Sequence, residues 1–210
     1  MNKQEKIEFH HNMVNDIIEK ETEIAEEIAK TIISYYDNEN IDFEELYNKV
    51  LDFMYISLKQ TYKITISQGA KIYSALKEEK KKIEKKKISN KEINNYTYSK
   101  DDLTLAKRVK QYIDEAKNNN MKRDVLIFYE TRILDNETLV LHRKLLKTKL
   151  KENKVEIGMI IAGGGCDRSC CNVDIEEWIN IEEIEEPPYH PNCHCEVIYD
   201  EEELKLEEKE

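Results

Sequence analysis

Residues 155–171 read VEIGMIIAGGGCDRSCC, and the fold turns on them. Val155 to Ile161 is short, rich in β-branched residues and followed by glycines. The pattern predicts a strand running into a turn at Gly163–Gly165. Upstream, from Met1 to Val155, there is no proline and one glycine, Gly69. Chain with so little punctuation belongs to helices. From Gly163 onward lie all five cysteines (Cys166, Cys170, Cys171, Cys193, Cys195), all three prolines, and His190 and His194. The expected fold class is mainly α. Long N-terminal helices precede a small α+β C-terminal domain with a Cys/His, zinc-type cluster.

Outward toward the N-terminus, Phe9, Met13, Ile17, Ile24, Ile28, Ile32 and Tyr35 recur at helical steps, predicting a helix from Lys3 to about Tyr36. His10 and His11 sit on it about a hundred degrees apart, so packing or a polar face is expected of them rather than shared ligation. Asp42 with Glu45 marks a second helix start. That helix is expected to continue through ISLKQTYKITISQG (residues 56–69), with an interruption near Gly69. KEEKKKIEKKK (residues 77–87) carries three glutamates and no aromatic, and reads as a solvated helix end or linker rather than a phosphate-binding strip. Ile88 to Tyr98 reads as a loop. Ser99 with Asp102 starts a helix that ends near Asn118–Asn120, and Asp124 caps the next. The expected organisation is a helical region at residues 1–98, a C-terminal domain at 99–200 and an acidic tail at 201–210.

Charge and composition narrow the function classes. Charged residues are 37% of the chain and the net charge is −11. From Asp174 to Glu210 there are fifteen acidic residues against Lys205 and Lys209, a local balance of −13, so the remainder is about +2. Glutamate around the cysteines argues against nucleic-acid binding by that end. The N-terminus lacks the apolar run of a signal peptide, and no run approaches the roughly 18–20 residues of a membrane span. A reducing cytoplasm is therefore expected, where an odd set of crowded cysteines reads as metal ligands rather than disulfides.

Zinc takes four ligands from thiolate and imidazole, and two close pairs joined by a loop supply them. Here the first pair is Cys166 with Cys170 or Cys171, and the second comes from His190, Cys193 and Cys195. CHCEVIY (residues 193–199) reads as a final strand. On it Cys193 and Cys195 would project to one side and His194 to the other, which sets His194 aside. Cys166 and His190 can be drawn as a thiol–imidazole pair, but no orienting third group or oxyanion hole accompanies them. The glycine triplet is no P-loop, because no Gly-Lys-Ser/Thr follows it. No enzymatic activity is expected.

Pro187-Pro188-Tyr189-His190-Pro191-Asn192-Cys193-His194-Cys195 resembles the signature that closes the phage Mu F-like head morphogenesis (minor head, or minor capsid) domain. Ile157 to Cys171 resembles the upstream strand, Gly/Asp turn and paired cysteines of that family, and Tyr129-Glu130-Thr131-Arg132 resembles loosely its upstream helical stretch. The resemblance covers about residues 100 to 200. The chain departs from the pattern in its C-x3-C-C spacing and in His194, where the family has arginine. The resemblance implies a structural minor head protein of a phage or prophage. It would act in capsid assembly in association with the portal protein and other head proteins, bear on DNA packaging or ejection, and reside in the virion after assembly in the host cytoplasm. No membrane partner is implied. Phage DNA is a further partner that such a role allows. The expected ligands of a structural Zn2+ are Cys166, Cys170, His190 and Cys193, with Cys171 and Cys195 in reserve. The alternative reading is a small zinc-binding regulatory or nucleic-acid-binding protein.

Overall fold

The computed structural model describes residues 1–38, 40–98, 103–161, 177–184 and 195–200. Six α-helices are followed by three strands: α1 (Lys3–Tyr36), α2 (Phe43–Ile72), α3 (Lys77–Glu84), α4 (Asn90–Asn94), α5 (Leu105–Asn119), α6 (Arg123–Glu152), β1 (Ile157–Ile161), β2 (Trp178–Asn180) and β3 (Glu196–Asp200). A 3-10 turn, Ser74–Leu76, leads into α3. The mainly helical expectation with a small C-terminal sheet holds.

Helix ends are set by side chains that satisfy orphan backbone groups. Asn2 opens α1 reciprocally: its Oδ1 accepts from Glu5 N at 2.9 Å, and its own N–H donates to Glu5 Oε2 at 3.0 Å. Asp42 Oδ1 accepts from the N–H groups of Glu44 and Glu45 at the head of α2, as its sequence position predicts. α5 ends as expected, with Asn120 left-handed at φ 48°.

Several expectations need correction. α2 runs unbroken through Gly69 and ends at Ile72. A Cβ on that glycine would stand 2.7 Å from Leu76 Cδ1, the far end of a flexible side chain. The stretch read as a loop holds α4, opened by a capping box between Ser89 and Glu92. α5 is capped by Thr104, which accepts from Lys107 N, whereas Ser99 and Asp102 lie outside the described residues. Asp124 falls inside the first turn of α6 rather than before it. On α1 Phe9 is 48% exposed and His10 fully buried, so the apolar face is rotated by one residue from the predicted one at that end.

The chain divides into two compact units whose boundaries fall inside α1, α2 and α6 and between α3 and α4. One comprises Met1–Val14, Thr65–Lys86 and Arg143–Glu210; the other comprises Asn15–Ile64 and Lys87–His142. Among its described residues, the regular structure of the second unit is all helical. Ile17, Ile28 and Ile32 of α1, Leu46, Val50 and Leu58 of α2, Val109 and Ile113 of α5, and Leu134 of α6 are buried in it.

The first unit holds the sheet. Its order is β2-β1-β3 and both pairings are antiparallel, with Met159 opposite Trp178 on one side and Ile198 on the other. Strand alternation places Met159, Ile161 and Ile198 on one face, where they form an apolar cluster with Ile7 of α1 and Trp178 packed against it. On the opposite face β1 carries Gly158, and a Cβ there would meet Ile184 Cδ1 at 2.5 Å and Tyr199 Cδ1 at 3.0 Å. β3 is an edge strand, and the Tyr199 N–H donates to the Tyr73 hydroxyl at 3.2 Å. That occupies one of the backbone donors an edge would otherwise leave open.

Candidate functional site

The polar chemistry of the first unit gathers where α1 crosses β3. Glu196, Ile198 and Asp200 alternate onto one face of the strand. Lys6, Ile7 and His10 share one face of the helix by their spacing. The two rows meet in register. Lys6 Nζ lies 2.5 Å from Asp200 Oδ2, Ile7 packs on the Ile198 cluster, and His10 Nε2 lies 3.7 Å from Glu196 Oε2. An apolar contact is thus flanked by two polar ones, fixing how far along the strand the helix can sit.

Arg143 of α6 completes the group. Its Nη2 donates to Glu196 Oε1 at 2.8 Å and to the Cys195 carbonyl at 2.9 Å, and its Nε lies 3.4 Å from Glu196 Oε2. Arg143, Glu196 and His10 are all buried. In such surroundings a carboxylate is sustained only by a matched cation and good hydrogen bonds, and a two-pronged guanidinium supplies both. Next to the cluster, burial first and His10 second lower the pKa of His11, while Glu196 opposes the shift.

A family-model scan, a search of curated proteins and a search of solved structures each returned no match.

Of the sequence-predicted metal ligands, Cys166, Cys170, His190 and Cys193, and Cys171 in reserve, lie outside the described residues. Cys195, the other reserve, is described. It is buried and stands immediately before β3 rather than in it. The side-to-side alternation that set His194 aside therefore has no strand to act on at Cys195, and Cys193 and His194 are themselves outside the described residues.

Among the described residues of the first unit, His10 and Glu196 are buried side chains of metal-ligating type that face one another. Imidazole and carboxylate suit a divalent transition metal. In the first unit, however, the Glu196 carboxylate already takes the Arg143 guanidinium on both oxygens. The arrangement there is a charge-paired brace.

Sequence reasoning missed Arg143 and Glu196. A signal existed in LVLHRKLLKTKL (residues 139–150), where a cation falls four residues after Leu139 and three before Leu146, at helical spacing with buried leucines.

The second unit has buried carboxyls of its own. Glu137 pairs with Arg108 and accepts the Tyr98 N–H at 2.7 Å. Glu130 is fully buried, with no hydrogen bond to either carboxyl oxygen among the described residues, and burial pushes its pKa well above the carboxylate range. Glu21 is pushed up to about 7 by burial, with Asp135 adding to the shift. Tyr112 and Tyr129 stack at 4.4 Å between centroids, almost parallel.

Proposed function

We propose that this protein is a structural, non-enzymatic minor head protein of a phage or prophage, of the Mu F-like head morphogenesis type. It acts in capsid assembly beside the portal protein and ends in the virion. The observation that carries this reading is the block PPYHPNCHC, Pro187 to Cys195. An Ile-rich stretch followed by glycines and clustered cysteines, residues 157–171, supports it from upstream. Long helices with solvated outer faces suit contact with the helices of portal or scaffold proteins. No helix among the described residues is long and apolar enough to cross a membrane.

Within this reading Cys166, Cys170, His190 and Cys193 hold a structural zinc ion that fastens the C-terminal part, with Cys171 and Cys195 as substitutes. Zinc would tie two distant chain segments together and contribute directly to folding.

The test is co-assembly. Co-expressed with the portal, scaffold and major capsid proteins from neighbouring reading frames, the protein is expected to sediment with heads at low copy number. It should be captured by the portal protein alone. A head fraction free of it, with no portal capture, overturns the assignment. Metal analysis of purified protein should find about one zinc per chain, and chelation should lower its melting temperature. Metal-free protein whose melting ignores chelator overturns the zinc part alone. Salt-sensitive DNA binding without head association would instead favour a nucleic-acid-binding protein.

A further inference from the structure

The first unit contains a cavity of about 300 Å3 where the end of α2, the turn into α3 and the end of β3 come together. Its wall includes the buried pair Tyr73 and Tyr199, whose rings meet edge to face at 6.0 Å. Its charged lining is Lys6, Lys71, Lys77 and Asp200. Lys6 and Asp200 neutralise one another at 2.5 Å. Lys71 and Lys77 have no ion pair among the described residues, unlike Lys20, Lys30, Lys49, Lys81 and Lys82, which each hold a glutamate. Among the described residues, two positive charges without an ion pair thus border one concave space.

The hydroxyls complete the chemistry. Tyr73 Oη accepts the Tyr199 N–H, which leaves its own hydrogen to donate. Burial, with Asp200 and Glu196 nearby, holds that phenol protonated far above neutral pH. Ser74 lines the same space. A site with two lysines, hydroxyl donors and an apolar wall suits a ligand whose anionic end is a dianion and whose body is small and apolar. The volume stands at the lower end of small-molecule pockets, roughly 300–1,000 Å3, so the body is about one ring in size.

We propose that this cavity is a binding site for a small phosphate monoester, its dianionic phosphate between Lys71 and Lys77 and its apolar body against the tyrosine wall. This goes beyond the head-protein assignment and stands or falls separately from it.

The experiment uses the full chain and three probes, phenyl phosphate, inorganic phosphate and phenol, followed by calorimetry and by backbone amide shifts. Phenyl phosphate should saturate one site and shift the amides of Lys71, Ser74, Ala75 and Tyr199. Its affinity should exceed that of inorganic phosphate or phenol by about tenfold, and fall as salt rises from about 50 to about 200 mM. K71Q/K77Q should weaken it by about tenfold or more with unchanged melting, since both lysines are exposed and unpaired among the described residues. Absence of saturation by about 10 mM overturns the site. So does equal binding of phenol, or full affinity in K71Q/K77Q.

Discussion

The Arg143 guanidinium lies 2.8 Å from the Glu196 carboxylate, with both side chains almost wholly withdrawn from water. Removing one partner strands the other. Arg143→Met should therefore cost about 3–5 kcal/mol, measured by denaturant unfolding, because Glu196 loses the guanidinium that meets both its oxygens. The double variant Arg143→Met/Glu196→Leu should recover most of that loss, since no buried charge remains. A single-variant loss under about 1 kcal/mol would mean the brace carries little of the fold.

The buried carboxyls of the helical unit set a pH dependence of definite sign. Glu21 keeps its proton in the folded state up to about pH 7, while the unfolded chain releases it near 4.5. The folded state therefore binds more protons, and stability falls as pH rises through that window. Glu130 acts in the same direction, over a window opening upward from 4.5. Glu130→Gln should flatten the stability–pH profile and raise stability at neutral pH by on the order of 1 kcal/mol or more. Glu21→Gln should do the same to a smaller extent, because solvent reaches it more readily. Denaturation midpoints taken from pH 4 to about 8 test this, and a slope unchanged in both variants contradicts it.

The two described glycines respond oppositely to an added methyl. At Gly158 the new Cβ meets Ile184, Tyr199 and the Ile198 carbonyl, the last at 3.2 Å and part of the sheet itself. Gly158→Ala should cost about 1–3 kcal/mol by overpacking. At Gly69 the obstruction is the end of the Leu76 side chain, which can turn aside. Gly69→Ala should come out within about 1 kcal/mol of neutral, with the gain in helix propensity offsetting the displacement. Thermal melts of the two variants should separate clearly.

Tyr73→Phe keeps the ring against Tyr199 and deletes the acceptor of the Tyr199 N–H. The expected loss is about 1–2 kcal/mol, and the Tyr199 amide should lose protection in hydrogen exchange. Protection equal to the parent protein would place that donor's satisfaction elsewhere.

Helices were legible in the sequence wherever the cause was local. The bounds of α1, the Asp42 cap and the Asn120 stop follow from nearest neighbours in the chain. What escaped reading has causes far away in sequence. Glu196 meets Arg143 across 53 residues and Lys6 meets Asp200 across 194, distances over which no periodicity speaks. For His10 the sequence left packing and a polar face both open, and what decides for burial is distant in sequence: Glu196 of β3 lies 3.7 Å from it. β2 has only three residues in an acidic setting, and exists because β1 offers it an edge. α4 escaped because asparagines obscured the Ser89–Glu92 box. The cysteine block, the most legible chemistry in the sequence, lies almost wholly outside the described residues.

The register between α1 and β3 has a consequence for how the chain is made. Lys6, Ile7 and His10 leave the ribosome before their partners Asp200, Ile198 and Glu196, which emerge nearly two hundred residues later. The leading turns of α1 must wait, with apolar Ile7 uncovered, until β3 has been made. Closing so long a loop makes this docking a late step of folding, after the helices between have formed. A truncation that removes β3 would consequently damage the packing of the first turns of α1, and a fragment starting at residue 99 would lack the helix that covers its own sheet.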